Sequence, residues 1–319
     1  MNISPEALRN FAIFHPVALE KYQQMVAKGG RFVHYCSAEA AFHIIKSRRM
    51  RLRNAAVMND FMEIEHGSAC LAHAWHSETG RRLIGLIDGL FPDVSKEVAK
   101  LIDGWVPSFR SDTFITCLSE HDDDEDELGR LSMWRAYGGT SGVAIVLNPS
   151  VFLTQADALP AFTSPVAYLS EADFEREFGR VTDNVAANLE FLKENGRQEL
   201  VDSLFHALRL AMLCTKHPGF REEREWRIVY APHINRSERI EESVEIIRGT
   251  PQIVHSIPFQ DFPEEGFMGA ELPKLINRVI IGPTEFPAEL RKATMALLIE
   301  AGVPDAGNKV VCSTIPLRQ

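Results

Sequence analysis

The chain has 319 residues, 45% hydrophobic and 24% charged, a balance that excludes disorder of the whole chain. Its net charge of -10 is concentrated: seven of the 44 acids fall in residues 120–127, and the other 37 nearly balance the 34 bases. That leaves no broad basic field of the kind that grips a nucleic-acid backbone, although a local basic groove stays open.

Five scattered cysteines (Cys36, Cys70, Cys117, Cys214, Cys312), with no C-x-x-C spacing, argue against a disulfide framework or a structural zinc and for a reducing compartment. The first residues lack a charged start followed by an apolar stretch, and no run reaches the roughly 20 apolar residues a membrane helix needs. A cytoplasmic location is the expectation.

In chain order, Ser4-Pro5 reads as an N-cap and first-turn proline of one helix running to about residue 28 and stopped by Gly29-Gly30. A β-rich segment follows at 31–36, then a helix at 39–48 capped by Ser37, a short extended piece at 50–53 and a loop at 54–60. Residues 61–105 read as two or three helical pieces broken near Gly80 and Pro92. Residues 113–119 and 142–148 read as buried strands, with the acidic run as a solvated loop and 128–137 as a helix between them. A short strand at 166–169 precedes a mostly helical stretch, 171–216, broken near Gly196. Strands are expected at 225–230, near 244–247 and 253–257, at 275–281 and at 309–312, with a helix at 287–301. The expected organisation is an N-terminal helix, residues 1–30, packed on one domain, 31–319, with helical insertions at about 61–105 and 171–216. The fold class is α+β, with a split, mostly antiparallel sheet and no regular βαβ array.

Three segments put polar residues where a core would not. They are residues 32–37 with His34, Tyr35 and Ser37 (and Arg51, Arg53, Asn59 and Asp60 downstream); residues 132–139 with Trp134 and Tyr137; and residues 221–227 with Glu223 and Glu225. Strand alternation puts Glu223, Glu225 and Arg227 on one face and Trp226, Ile228 and Tyr230 on the other. Two carboxylates so placed repel unless cations, a ligand or a raised pKa compensate. The competing reading is a plain ion pair of Glu225 with Arg227 or Arg224. Glu63, His66, Cys70, His73 and His76 form a helical stripe, but one helix cannot wrap a metal ion, and no metal site is expected. The acidic run lacks the spacing of a calcium loop. No Walker loop, G-x-G-x-x-G or G-x-S-x-G elbow is present.

These pieces resemble a widespread bacterial family of uncharacterised domains, in which His-Tyr-x-Ser, Asn-Asp, Ser-Met-Trp-x-x-Tyr, Glu-x-Glu-Trp-Arg and Ser-x-Ile-Pro-x-Arg follow in order. Here they stand at residues 34–37, 59–60, 132–137, 223–227 and 313–318, with Asp60-Phe61 where such domains often have Asp-Pro. A more distant resemblance is to the ADP-ribosyltransferase superfamily, nearest its DNA-modifying toxins, although the second-strand Ser-Thr-Ser is missing and residues 113–119 stand in for it. That resemblance implies NAD as substrate and a nucleic acid or protein as acceptor, in a toxin or phage-defence effector. It implies Glu225 as the catalytic carboxylate and Glu223 as a second acid. His34, with Tyr35 and Ser37, would meet the nucleoside, Arg51 or Arg53 the diphosphate, and Asn59 the dinucleotide, while Trp134 or Tyr137 would stack on a ring. The alternatives are a ligand-binding or regulatory module without turnover, and a nuclease with magnesium on Glu223, Glu225 and Asp60. The transferase reading requires His34 and the two glutamates to share one pocket.

Overall fold

The computed structural model describes residues 4–57, 62–154, 158–247 and 249–316. Two helices, α1 (Pro5–Phe14) and α2 (Pro16–Ala27), stand where the sequence predicts one. Pro16 lacks an N–H and disfavours helical backbone in its predecessor, so His15 turns out at φ -131° and the chain restarts. Ser4 caps α1 as expected, accepting from Ala7 N at 3.1 Å.

Then come β1 (Arg31–Ser37), α3 (Ala38–Ser47) and β2 (Arg49–Asn54), followed by α4 (Met62–His76), α5 (Glu78–Leu90), α6 (Val94–Ser111) and β3 (Phe114–His121). A short α7 (Leu131–Met133) passes into a wide π-helical turn at Trp134–Gly138, so the helix predicted over 128–137 is largely replaced by that turn. β4 (Gly142–Leu147), α8 (Ser150–Leu153), β5 (Ala161–Pro165) and β6 (Ala167–Tyr168) precede α9 (Glu171–Ala187), α10 (Leu189–Asn195) and α11 (Arg197–Leu213). The chain continues through β7 (Thr215–Lys216), a 3-10 turn (Pro218–Glu223), β8 (Glu225–Tyr230), β9 (Glu241–Ile247) and β10 (Thr250–Pro258). It closes with α12 (Leu272–Leu275), β11 (Ile276–Ile281), α13 (Pro287–Glu300), α14 (Ala306–Lys309) and β12 (Val310–Cys312).

The main sheet is ten-stranded, open and mostly antiparallel, with β11 and β12 parallel at one edge. β3 is its hub. One of its edges pairs with β8 from Phe114 to Ser119. Along the other, β1 pairs at residues 119–121 and β2 at residues 114 and 115. The two neighbours therefore separate beside residues 116–118 of β3, and the sheet splits there into a β12-β11-β4-β1 wing and a β2-β10-β9 wing.

Face alternation assigns the side chains. The first face carries Phe32, Leu52, Leu118, Ile145, Trp226 and Ile228, which share a large core with α3, α12 and α13. The second carries two apolar patches. Val33 and Tyr35 pack under Trp134, while Ile115 and Val229 pack under Ile64 and Leu213. The helical insertions, distant in sequence, join into one bundle: residues of α4, α5, α6, α9 and α11 bury a core of their own, including Leu71, Ile87, Phe109, Phe178 and Leu204. No helix among the described residues is long and apolar enough to cross a membrane.

Candidate functional site

Between the two apolar patches of the second face runs a polar seam. β8 begins at Glu225, and Glu223 ends the preceding 3-10 turn; Arg224 between them is left-handed, at φ 44°. Simple alternation through a strand, the sequence expectation for this pair, therefore does not apply. Lys216 on β7 brings the two acids together instead, donating to Glu223 Oε2 at 2.6 Å and Glu225 Oε2 at 3.3 Å. Its ammonium also lies 4.6 Å from the centre of the Phe220 ring.

Glu225 Oε1 accepts from Arg227 Nε at 2.8 Å, and the Glu225 side chain is 5% exposed. Burial pushes this carboxyl up, but Arg227 and Lys216 outweigh it and hold the group at about 2, fully ionised at neutral pH. Glu223 is more open, at 17%, and its Oε1 accepts from the Tyr137 hydroxyl at 3.0 Å. Burial, and then the Glu223 charge, raise Tyr137 well above an ordinary phenol, so it stays protonated as the donor. Tyr168 closes the other side, its hydroxyl accepting from Glu225 N at 2.8 Å. Neither Lys216 nor Tyr168 stands out in the sequence. They enter through the two-residue parallel pairing of β6 with β7, Tyr168 opposite Lys216, and a lone lysine before His217-Pro218 is the only linear trace.

His34 lies elsewhere. It pairs with Ile145 of β4, whose side chain belongs to the first-face core, whereas Glu225 pairs with Ser119, itself opposite Val33 of the second face. By register the imidazole and Glu225 belong to opposite faces, and Lys216 holds Glu223 beside Glu225, which corrects the expectation of one shared pocket. Cys117 touches both: its carbonyl accepts from His34 Nδ1 at 2.9 Å across the split, and its thiol hydrogen-bonds Glu225. Burial lowers the His34 pKa against the opposing pull of that carbonyl, so the ring is a neutral donor.

The other predicted residues divide by what they touch. Arg51 and Arg53 are on the second face, Arg53 opposite Ile115; Arg51 pairs with Glu245 at 2.6 Å, and Arg53 donates to Gln252 and to Val57 O. The Tyr35 hydroxyl, buried, accepts from Arg130 N at 2.9 Å, and burial pushes it up to about 12. Ser37 caps α3, accepting from Ala40 N at 3.2 Å. Trp134 is fully buried, its ring against Tyr35 at 4.9 Å and its Nε1 donating to Leu128 O. A Cβ on Gly129, Gly142 or Gly282 would come within 2.7–3.0 Å of its indole, so three glycines form its cage. It is a core residue with no face for a ligand ring, whereas Tyr137 is half-buried. Asn59 and Asp60 lie outside the described residues.

The acidic run, expected as a solvated loop, is tied down by cations. Asp122 meets Lys28 and Arg224; Glu125 meets Arg130 and Arg224; Asp126 meets Arg31, Arg278 and His121. Arg130 is central. Besides Glu125 it donates to the carbonyls of Glu120 and Glu222 at 2.8 and 2.7 Å and to Ser119 Oγ. The loop thus braces the turn that presents Glu223, a role composition could not reveal because the arginines come from four separate segments.

Among the described residues no group of three or more His, Cys, Asp or Glu is placed to hold a metal. On the α4 stripe, His66 bonds Leu169 O, His73 faces Glu175 and His76 bonds Ala72 O.

A family model described as a protein of unknown function (DUF2971) matches residues 133–228. The match runs from Met133 through the Trp134 turn to Ile228 and so contains Tyr137, Tyr168, Lys216, Glu223, Glu225 and Arg227, the whole of the seam. Neither curated proteins nor solved structures gave a match.

Proposed function

We propose that the seam cleaves the nicotinamide–ribose bond of NAD and transfers ADP-ribose to a nucleic acid or protein acceptor, in a form that rests on the two carboxylates alone: the shared pocket with His34 that the resemblance required is not formed, and His34 has no part in it. The observation that carries this reading is the pair of carboxylates, Glu223 and Glu225, held on one lysine beneath Tyr137, on the sheet face that also bears Arg51 and Arg53. Breaking that bond leaves its electrons on the nicotinamide nitrogen and cationic character at the ribose carbon, which a fixed carboxylate stabilises. The two acids exchange the roles their order suggests. Glu225 has its oxygens engaged by Arg227 and Lys216 and acts as a positioning residue. Glu223, the more open, meets the ribose hydroxyl or takes the acceptor proton. Arg51 and Arg53 suit a diphosphate because the guanidinium fork matches its oxygens, and Arg51 would exchange Glu245 for it.

A second reading, a module that binds a ligand without turnover, is favoured by the saturation of Glu225 and by the register that separates His34 from the carboxylates. The nuclease reading is disfavoured, since Lys216 occupies the space between the carboxylates that it assigns to magnesium. Incubation of the chain with labelled NAD and mixed DNA, RNA and protein acceptors separates them. Nicotinamide release that falls by about 100-fold or more in Glu223→Gln is expected. Binding without release establishes the module, and release at the wild-type rate in both Glu223→Gln and Glu225→Gln overturns the transferase.

A further inference from the structure

A cavity of about 960 Å³ lies under α1 and α2, against the first face of the sheet and the edge strand β5. Its size suits a small-molecule site. Phe11, Tyr22, Phe152, Leu159, Ile228 and Ile257 make most of the wall apolar. None of the residues of the seam, nor His34, Arg51 or Arg53, lines it, so it stands apart from the function proposed above.

One wall is charged. Arg209 of α11 is 4% exposed and lines the cavity, with its guanidinium 5.8 Å from the Phe109 ring centre and 5.2 Å from that of Phe162. Among the described residues no hydrogen bond and no ion pair reaches it, and its Nε is buried without a partner. Burial lowers its pKa to about 10, so it remains a cation at neutral pH. A buried charge with no counter-charge is among the costlier things a fold can hold, and rings alone offset it weakly. His206 lines the same cavity, and His15 stands beside it in an adjoining cleft. Burial, followed by the Arg209 charge, lowers His206; burial, followed by His206, lowers His15 to about 4. The polar end of the cavity therefore offers one full positive charge with neutral imidazole nearby.

We propose that this cavity binds an amphipathic monocarboxylate, its carboxylate on the Arg209 guanidinium and its apolar body along the wall of the first face. A carboxylate accepts two parallel N–H bonds from the guanidinium fork. One charge matches one charge; a phosphate dianion would bring a second, and no other lysine or arginine among the described residues lines the cavity to meet it. The apolar wall supplies the drive for a chain or ring to enter, since lying against Ile228 and Ile257 takes the ligand's own apolar surface out of water.

The test is calorimetric titration of the full chain with dodecanoate, dodecanol and dodecyl phosphate, each below its aggregation threshold, on wild type, Arg209→Met and Ala18→Trp. Dodecanoate is expected to bind wild type about tenfold or more tighter than it binds Arg209→Met, and about tenfold tighter than dodecanol binds wild type. Arg209→Met should melt no lower than wild type without ligand, because replacing an unpaired buried cation by an apolar side chain relieves desolvation. Ala18→Trp fills the cavity without touching the charge and should weaken all three ligands. Absence of dodecanoate binding to wild type, equal affinity in Arg209→Met, or tighter binding of dodecyl phosphate would each overturn the assignment.

Discussion

Replacing Lys216 with Met removes the ammonium that Glu223 and Glu225 share, at 2.6 and 3.3 Å, in a side chain only 4% exposed. Deleting one partner of a buried ion pair costs about 3–5 kcal/mol, because the remaining charge stays desolvated. Arg227 still holds Glu225 at 2.8 Å, and Glu223 is partly open to water, so the lower end, about 3 kcal/mol, is expected. The pH dependence follows from the direction of the Glu225 shift. Its folded pKa, about 2, is below the ordinary 4.5; its stabilisation is therefore complete above about pH 4.5 and is lost as pH falls towards 2. In Lys216→Met the folded pKa rises towards the ordinary value, so the loss on acidification is smaller and complete at a higher pH; the gap between the two proteins is widest at neutral pH and narrows in acid. Urea melts followed by tryptophan fluorescence at pH 7 and pH 3 measure this, with Trp226 buried one residue from the cluster. Adding Glu223→Gln to Lys216→Met removes one of the stranded charges and should recover about 1–2 kcal/mol. A neutral-pH midpoint for Lys216→Met within about 0.5 kcal/mol of wild type, or a double variant no better than the single, would refute the shared-ammonium account.

Three further outcomes follow from particular contacts. Arg130→Lys keeps the charge but loses the fork that spans Glu125, Ser119 and two carbonyls; a loss of about 2 kcal/mol and new protease cleavage within residues 120–127 are expected, and an unchanged digestion pattern would count against the bracing role. Gly282→Ala places a Cβ 2.8 Å from the Trp134 ring; a loss of about 1–3 kcal/mol with altered tryptophan emission is expected, whereas a neutral Gly282→Ala would mean that the indole cage is loose. His15, lowered to about 4 from 6.5 mainly by burial, binds a proton more readily unfolded than folded, so its contribution is full above about pH 6.5 and is lost as pH falls towards 4. His15→Gln should flatten the stability profile over that interval, as read from thermal midpoints against pH.

Much of the fold was legible because it rests on local chemistry. Pro5, Ser37, Gly29 and Gly196 mark helix ends by backbone preference, and the runs at β3, β4, β8 and β11 are too apolar and β-branched for a surface. The open, mostly antiparallel sheet follows from the same runs. The break at Pro16 was equally local and readable, since proline penalises a helical predecessor.

The candidate site was legible only in part. Glu223, Glu225 and Tyr137 stand out as polar residues near apolar strands, and the chain does bring them together. Lys216, which joins the two acids, stands only seven and nine residues before them on β7, but nothing in the linear pattern shows that the 3-10 turn folds them back onto it. The other ties are non-local: Tyr137 reaches Glu223 from 86 residues away, and Arg130 ties the acidic run to the turn before β8. Trp134 reads the same whether it faces a ligand or a core until Gly282, 148 residues later, closes against it. Sequence by itself determined most of the helices and strands, though not the turn at Trp134–Gly138 or β5, and which polar residues were out of place, because backbone preference and hydrophobic periodicity act over a few neighbouring residues. Tertiary structure alone decided which cation meets which carboxylate, which side of the sheet His34 takes and that Arg209 lies buried with no partner among the described residues. A charge pair or a sheet register depends on segments that meet in space however far apart they stand along the chain.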